Sequence, residues 1–422
     1  MHLDSKAILS AFPFLQKVVS RFPSAEIYLV GGAVRDLLLK GKGADYDFMI
    51  RNVPATDLEE ALSREGKVVL AGREFGVFKF YPGNRGTIQE VDIALPRREV
   101  SLMTGGYRDF DVQSDPTLPV EEDLSRRDFT VNAMALSLFD GRLIDPFGGV
   151  QDLQSQRLRA VGDPLLRFAE DSSRLLRGIR FACQLGFEIE PSTWTALVSA
   201  VPRLNAHRSD GSFVVPREVI AKELLRALVS DPVRALDLFD QSGIVQELLP
   251  ELIPMKGCPQ PPEFHSEGDV WTHTRLALSH LLSPKFTEEF GDVPADGELV
   301  LATLLHDVGK PYTIRTPERD GTDRIRFNEH DRVGSEIAMK ISHRLKLSQL
   351  PREGSLHVDP ERLSWLIGKH LLLVHGEVDK MRGTTLERHF LNPNRPGDQL
   401  RKLIFVDGMA SVPEGGEGQL EG

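Results

Sequence analysis

Cysteine is nearly absent, with two residues, Cys183 and Cys258, in a chain of 422. That is too few for a disulfide framework at this length, and it fits a reducing compartment in which both thiols serve as small buried apolar groups. Long hydrophobic runs are missing as well. No stretch approaches the ~18 apolar residues of a membrane span, and the start, MHLDSKAILSAF, has no basic segment ahead of an apolar one. A cytoplasmic protein with no membrane partner is expected. Positive charge is in deficit too, the formal net charge being −11. Affinity for a polyanion must therefore come from a local basic surface. Arg157 to Arg180 is the candidate, because Arg157, Arg159, Arg167, Arg174, Arg177 and Arg180 outnumber Asp163, Glu170 and Asp171 there. The remaining composition, 41% hydrophobic and 27% charged, is that of a globular chain with a large core and roughly two to four domains.

The densest chemistry lies in YLVGGAVRDLLLKGKGADYDFMI, residues 28–50. It reads as strand, Gly-Gly turn, short helix, loop and a second strand carrying Asp45 and Asp47. Side chains at i and i+2 of a strand leave the same face, which puts these carboxylates about 6 to 7 Å apart at their Cα atoms. That suits a clamp for Mg²⁺ ions bridging an attacking oxygen and the phosphates of a nucleoside triphosphate. Gly31 and Gly32 let the backbone turn sharply and bring N–H groups to a polyphosphate, and Arg35 is placed to neutralise charge there. A lone DxD or Gly-Gly marks many ordinary strands and turns. The order GGxxRD then DxD on adjacent elements is what sets this pair apart.

Around this stretch the pattern predicts an amphipathic helix over residues 5 to 21 and a helix over Asp57 to Glu65 capped by Thr56. VVLAGREFGVFKFY and TIQEVDIALPR, joined by a Pro-Gly-Asn-Arg-Gly turn, read as a hairpin. It carries Asp92 next to the metal pair, as a further ligand or as the acceptor of a proton from an attacking hydroxyl. From Arg98 to Glu122 the sequence turns irregular, the mark of a functional lid.

GGAVRD followed by DYD resembles the head of the class II tRNA nucleotidyltransferase and bacterial poly(A) polymerase superfamily, and RRDFTVNA at 126–133 strengthens the likeness. The resemblance implies that the first block cradles the triphosphate and that Asp45 and Asp47 bind metal. Asp92 is followed five residues later by Arg97, as in the family, and would assist deprotonation. Arg127 and then Asp128 would contact the sugar and phosphates of the incoming nucleotide. The segment after Arg98 corresponds to a flexible loop that helps such enzymes switch from CTP to ATP. LIDPFGGVQDL matches the block joining head to neck.

Glu170 to Arg174, EDSSR, matches the family's base-reading EDxxR. Asp171 and Arg174, three apart on a helix, share a face. One acceptor and one forked donor can address the Watson–Crick edge of C or A in place of a template, and G or U would leave polar groups unpaired. The family usually has Pro-Leu where this chain has Ser172 and Ser173, a departure at the helix start. Arg177 and Arg180, in the same strongly helical block, are expected with Gly32, Arg35 and Arg127 to hold triphosphate and ribose. Residues 190 to 255 read as mostly helical, with Arg217, Glu218, Lys222, Glu223 and Arg226 resembling the helix that supports the pocket.

Past Pro259, Pro261 and Pro262 the chemistry changes. THTRLALSHLL, LLHDVGK and LIFVDGMA supply His273, His306, Asp307 and Asp407. Imidazole and carboxylate together suit a divalent transition metal or Mg²⁺, which readies water for attack on phosphate esters. The set resembles an HD phosphohydrolase domain, all four of whose ligands have a match. The resemblance implies Ni²⁺ or Mg²⁺ there and removal of 2′-phosphate or opening of 2′,3′-cyclic phosphate. His330, His370 and His375 stand as phosphate contacts or ordinary polar residues. The acidic, glycine-rich end, PEGGEGQLEG, is expected to be disordered.

The expectation is an α+β protein: a small mixed-sheet nucleotidyltransferase head (1–140), a neck (141–200), a helical body (201–258), an all-α HD domain (259–412) and a tail (413–422). Its activity would be template-independent addition of CCA to tRNA from CTP and ATP with Mg²⁺, as a monomer or homodimer. A poly(A) polymerase would tend to carry a basic extension, and a CC-adding enzyme would lack the loop after Arg98. An A-adding enzyme is a further reading of the same motifs. From other classes, an HD phosphohydrolase with a vestigial head is opposed by intact Asp45, Asp47 and Asp92, and a non-catalytic RNA scaffold by the negative charge.

Overall fold

In Glu26–Val30 every residue after Glu26 is buried, so this strand takes packing on both faces. That is how a central strand is used. The structure, a computed structural model, describes residues 5–40, 46–72, 76–83, 90–107, 109–351, 354–373 and 381–413. It divides into two compact units, Met1–Gly178 with Leu185–Ala200, and Ile179–Gln184 with Val201–Gly422.

The first unit is built on β1 (Glu26–Val30), β2 (Asp47–Arg51), β3 (Gly66–Gly72), β4 (Val77–Pro82), β5 (Val91–Ala94), β8 (Ala135–Ser137) and β9 (Leu143–Ile144). A separate ribbon pairs β6 (Arg97–Ser101) with β7 (Phe110–Ser114). The sheet order is β3-β4-β5-β2-β1-β8-β9. Neighbours are antiparallel except β2 and β5, which run parallel. One face carries Ile27, Leu29, Phe48, Ile50, Phe78, Phe80 and Ile93, all buried. Phe12 meets Phe48 edge-on at 4.9 Å and Phe14 meets Phe80 at 4.6 Å, so the N-terminal helices close that side. On the other face Tyr28, Val30 and Met49 pack with Val120, Leu124, Ala133 and Ala135.

Several local expectations need correction. The helix over 5 to 21 is two helices, Ser5–Ala11 and Pro13–Arg21. Pro13 has no N–H to continue the first and its fixed φ suits the start of the second. The helix Ala55–Ser63 has Pro54 at its N-cap, so Thr56 lies inside the first turn. VVLAGREFGVFKFY holds two strands, β3 and β4, which pair with each other, and β4 pairs with β5 as expected. Asn84 to Gly86 of the intervening turn lie outside the described residues. The segment after Arg98 contains the β6–β7 ribbon, registered from Arg97↔Ser114 to Ser101↔Phe110. The block around EDSSR is likewise two helices, Pro164–Glu170 and Ser173–Leu185.

The second unit is helical. Its centre is Gly297–Leu305, in which all nine residues are buried. A helix buried all round is a core helix. Its one carboxylate, Glu298, is paired with Arg362 at 2.9 Å, and Val270–His280, Pro360–Ile367 and Gly397–Ala410 pack around the helix. Asp296 caps its start, accepting from Leu299 N at 2.8 Å. Both cysteines are buried and unpaired, and burial pushes the Cys183 thiol up to about 12 and that of Cys258 to about 11. Among the described residues no helix is long and apolar enough to cross a membrane. Glu414 to Gly422 of the expected disordered tail lie outside the described residues.

Candidate active sites

Asp47 opens β2 and is the register partner of Asp92 on the adjacent parallel strand β5. Neighbouring strands lie about 4.8 Å apart, so the two carboxylates leave the sheet side by side. Across β5 the antiparallel partner of Asp92 is Lys79, whose Nζ is 3.5 Å from Asp92 Oδ1 and which also pairs with Glu90. Among the described residues Asp92 Oδ1 is covered and, apart from the ion pair with Lys79, has no hydrogen-bond partner. A buried carboxylate oxygen of that kind, beside a second carboxylate in register, fits a divalent cation. Asp45 lies outside the described residues.

β1 ends next to this pair, because Leu29 is the partner of Phe48. The chain then turns at Gly31, with φ +70°, into the helix Gly32–Lys40. Gly31 is required twice over. Its φ is left-handed, and a Cβ there would come within 2.3 Å of an Arg127 guanidinium nitrogen. Arg127 therefore lies directly on the turn, with further contacts to Asn132 O at 3.3 Å and Asp123 at 3.4 Å. Arg35 bonds Asp36 at 2.9 Å and Asn132 Oδ1 at 2.5 Å. The Gly-Gly turn, Arg35, Arg127 and Asn132 thus form one cluster at the head of a helix, where N–H groups and two guanidinium groups converge as an anion requires.

Asp128 is buried and holds the next shell. Its Oδ1 accepts from Phe129 N at 2.8 Å and Asn132 Nδ2 at 3.2 Å, and its Oδ2 accepts from Arg177 Nε at 2.9 Å. Burial raises the carboxyl pKa, but Arg177 and Asn132 outweigh it and hold Asp128 well below the usual carboxylate range. Asp128 is thereby an anchor for the loop that aims Arg127.

Asp171 is not on the helical face expected for it. It sits extended between the two helices, its Oδ1 accepting from Ser173 N at 2.9 Å, while Arg174 Nε is 3.9 Å from its Oδ2. Burial lifts the Asp171 carboxyl above its usual value. Arg174, also buried, is braced by Glu170 at 2.9 Å and by the carbonyls of Arg167 and Arg126 at 3.2 and 3.1 Å. The two remain neighbours, brought together by a helix break rather than by helical spacing.

Arg180 belongs to the second unit, where its guanidinium pairs with Glu223 and donates to Gln184 at 2.7 Å. These are the partners of a buried structural ion pair and not of an open phosphate contact. The expected basic surface needs the same correction. Arg159 is matched by Asp152, Arg167 and Arg174 by Glu170, and Arg177 by Asp128, with Arg167, Arg174 and Arg180 largely buried.

In the second unit His273, His306, Asp307 and Asp407 converge. His273 Nε2 is 3.0 Å from Asp407 Oδ1 and 3.7 Å from Asp307 Oδ2, and His306 Nε2 is 3.5 and 3.3 Å from the same atoms. His306 Nδ1 faces Thr303 O at 2.8 Å and His273 Nδ1 faces Glu267 at 2.8 Å. Both rings are thus held by their outer nitrogens with Nε2 turned inward, the arrangement that orients metal-binding histidines. Among the described residues His306 Nε2 is buried without a hydrogen-bond partner, and it faces carboxylate oxygens of Asp307 and Asp407. Burial alone would lower the His306 pKa, yet Asp307 and Asp407 push it up to about 10. The pocket calls for positive charge between these atoms, and a divalent cation fits.

Sequence reasoning gave no role to Lys79, Glu267 or Lys310. Lys310 lies in the HDVGK string, and its Nζ is 2.7 Å from Asp307, so that motif carried a usable signal. Lys79 is identified by strand pairing alone. His375 lies outside the described residues.

Residues 27–159 match the Poly A polymerase head domain family and residues 271–406 the HD domain family. The chain is 34% identical over 368 residues to the multifunctional CCA protein of Halorhodospira halophila, covering 86% of this chain and 77% of that one. It is 33% identical over 367 residues to the protein of that name from Stenotrophomonas maltophilia, covering 86% and 79%. The solved structure of a CCA-adding enzyme in its apo form II shares the fold with a TM-score of 0.55 at 24% identity, over 95% of this chain and 92% of that one. With its head and HD regions both matched and this identity running through most of its length, the chain belongs to the multifunctional CCA protein family.

Proposed function

We propose that the chain adds CCA to the 3′ end of tRNA from CTP and ATP without a template, and that its second unit hydrolyses phosphate esters at RNA ends. The head would span 1–140, the neck 141–200, the body 201–258 and the HD domain 259–412, in a cytoplasmic protein. The observation that carries the reading is the in-register pair of Asp47 and Asp92 beside the Gly31 turn covered by Arg127. Two carboxylates and a guanidinium-lined anion cradle thus lie together at one end of the central strands, as nucleotidyl transfer requires.

Asp45 and Asp47, with Asp92 beside them, would hold Mg²⁺, which when bound supplies positive charge for the phosphates and the attacking oxygen. Asp92 takes the proton of the tRNA 3′-hydroxyl as its oxygen attacks the α-phosphorus in line and pyrophosphate leaves. Arg35 and Arg127 hold the triphosphate over the glycine turn. Asp128, fixed by Arg177, keeps Arg127 and Asn132 in place. Asp171 and Arg174 address the base edge, their positions set by the helix break and by Glu170.

In the HD half a divalent cation, Ni²⁺ or Mg²⁺, held by His273, His306, Asp307 and Asp407 would polarise a phosphate ester and ready water for attack. Glu267 and the Thr303 carbonyl keep the two rings aimed. Lys310, bonded to Gln260 at 2.8 Å, places a further positive charge beside Asp307 for a phosphate oxygen.

The test supplies CTP and ATP, separately and together, to tRNA transcripts ending before CCA and after CC, and to a non-tRNA oligomer. Completion of both transcripts supports CCA addition. Extension of the CC-ended transcript alone would make this an A-adding enzyme, and tailing of the oligomer a poly(A) polymerase.

A further inference from the structure

Most surface arginines of the second unit are matched by an acid. Arg275 pairs with Asp237, Arg326 with Asp323, Arg332 with Glu329 and Glu336, Arg344 with Glu251, and Arg362 with Glu298. Residues 381–397 differ, because they set Arg382, Arg388 and Arg395 against a single acid, Glu387. Arg388 and Arg395 are exposed, as is Lys369, and among the described residues no ion pair joins any of the three to a carboxylate. In a chain of net charge −11, unmatched cations gathered at one place suit a polyanion.

The same cations surround two partly exposed rings. Trp365, on the helix Pro360–Ile367, stacks on His389 with ring centroids 6.0 Å apart and planes 27° from parallel, and Arg395 Cζ lies 5.6 Å from the Trp365 ring centroid. Arg388 and His389 sit on the π-helical turn Glu387–Leu391, a rare form that recurs at functional sites. Burial, and then the charges of Lys369, Arg388 and Arg395, hold the His389 pKa below its ordinary value. Three cations therefore face one neutral ring, which offers a flat stacking surface near pH 7.

Lys369 joins this group to the phosphohydrolase pocket. With Met381 it lines the cavity of about 990 Å³ that also receives Asp307, Lys310 and Asp407. Stacked rings bordered by guanidinium and ammonium groups grip single-stranded nucleic acid without reading its sequence, since bases stack on the rings while the cations follow the phosphates. An acidic peptide would use the cations and leave the rings idle.

Given the reading of the second unit as a hydrolase of phosphate esters at RNA ends, we propose that Trp365, His389, Lys369, Arg388 and Arg395 form a surface for single-stranded RNA that leads its 3′-terminal phosphate into this cavity. Bases next to the end stack on Trp365 and His389, Arg388 and Arg395 hold the backbone, and Lys369 neutralises the phosphates that reach the cavity.

The test uses the full chain without nucleoside triphosphates, so that the head is idle. With Ni²⁺ or Mg²⁺ supplied, opening of a terminal 2′,3′-cyclic phosphate is measured on a short non-tRNA oligomer and on a mononucleoside 2′,3′-cyclic phosphate, which has no strand to bind. In the double variant Arg388→Ser, Arg395→Ser the KM for the oligomer is expected to rise roughly 5- to 30-fold, with kcat and mononucleotide opening within about 2-fold. The slope of log(kcat/KM) against log salt should become shallower by about 1.4, the share of two phosphate contacts on a single strand. Independently, an oligomer carrying 4-thiouridine beside its 3′ end is cross-linked to the parent by ultraviolet light, and peptides containing Trp365 or His389 should carry the label. An unchanged KM, a parallel loss on the mononucleotide, or cross-links that miss both peptides overturns the surface. If the parent opens neither substrate, the hydrolase reading fails and the cross-links alone decide the surface.

Discussion

Asp47 and Asp92 are register partners on adjacent parallel strands, and the next strand over sets Lys79 against Asp92 with its Nζ at 3.5 Å. An ammonium beside a cation site competes with the ion for the same carboxylate. At such a distance near a protein surface the repulsion is of order 1 kcal/mol after screening. Lys79→Met is therefore expected to lower the Mg²⁺ concentration that half-activates nucleotide addition by roughly 3- to 10-fold. An unchanged Mg²⁺ titration would place the ion away from Asp92.

The Asp128–Arg177 pair makes a prediction about acid. Asp128 has its folded pKa depressed, so its contribution to stability is full above the unfolded value near 4 and is lost as pH falls through the folded value. Arg177→Ala leaves a buried carboxylate without its main partner. Because Arg177 is itself 36% exposed, the cost is expected at about 2 to 3 kcal/mol, below that of a fully buried pair. Thermal melts of the variant and parent should differ most at neutral pH, with the gap narrowing from about pH 4 downward and closing only as pH falls through the depressed folded value of Asp128. A gap that persists in acid would assign the loss to packing.

Base choice should follow the Asp171–Arg174 pair. Arg174→Lys keeps the charge but removes the fork. It is expected to erode discrimination against UTP and GTP by about 10- to 100-fold, the worth of one bidentate contact. Competition assays with mixed nucleotides on a tRNA primer read this directly. Loss of rate with selection intact would mean that the pair merely supports the fold.

The HD half should fail separately. His306→Ala removes one of two inward Nε2 atoms of the first set and should abolish metal-dependent phosphate release, with nucleotide addition retained within a few-fold. Joint loss of both activities would contradict two sites.

What the sequence made legible, and what it did not, divides along physical lines. Gly31, Asp47 and Asp92 could be found because strand periodicity and glycine chemistry act over a few residues. His273, His306 and Asp407 were found as residue types in recognisable strings. The break at Asp171 was invisible to periodicity, since Phe168, Leu175 and Ile179 keep an apolar pattern across it while Ser172 and Ser173 reset the helix. The arginine-rich stretch misled for a different reason. Charge was counted along the chain, whereas Asp128, Asp152 and Glu223 reach those arginines through the fold. His330 and His370, 40 residues apart, meet only in three dimensions.

Single-turnover extension of a tRNA lacking CCA, run on the parent, Asp47→Asn and Asp92→Asn with CTP binding measured on each, tests the central claim. The account predicts a fall in the chemical rate of about 10²- to 10⁴-fold for each variant while CTP binding stays within a few-fold. Extension at the parent rate by either variant would contradict it.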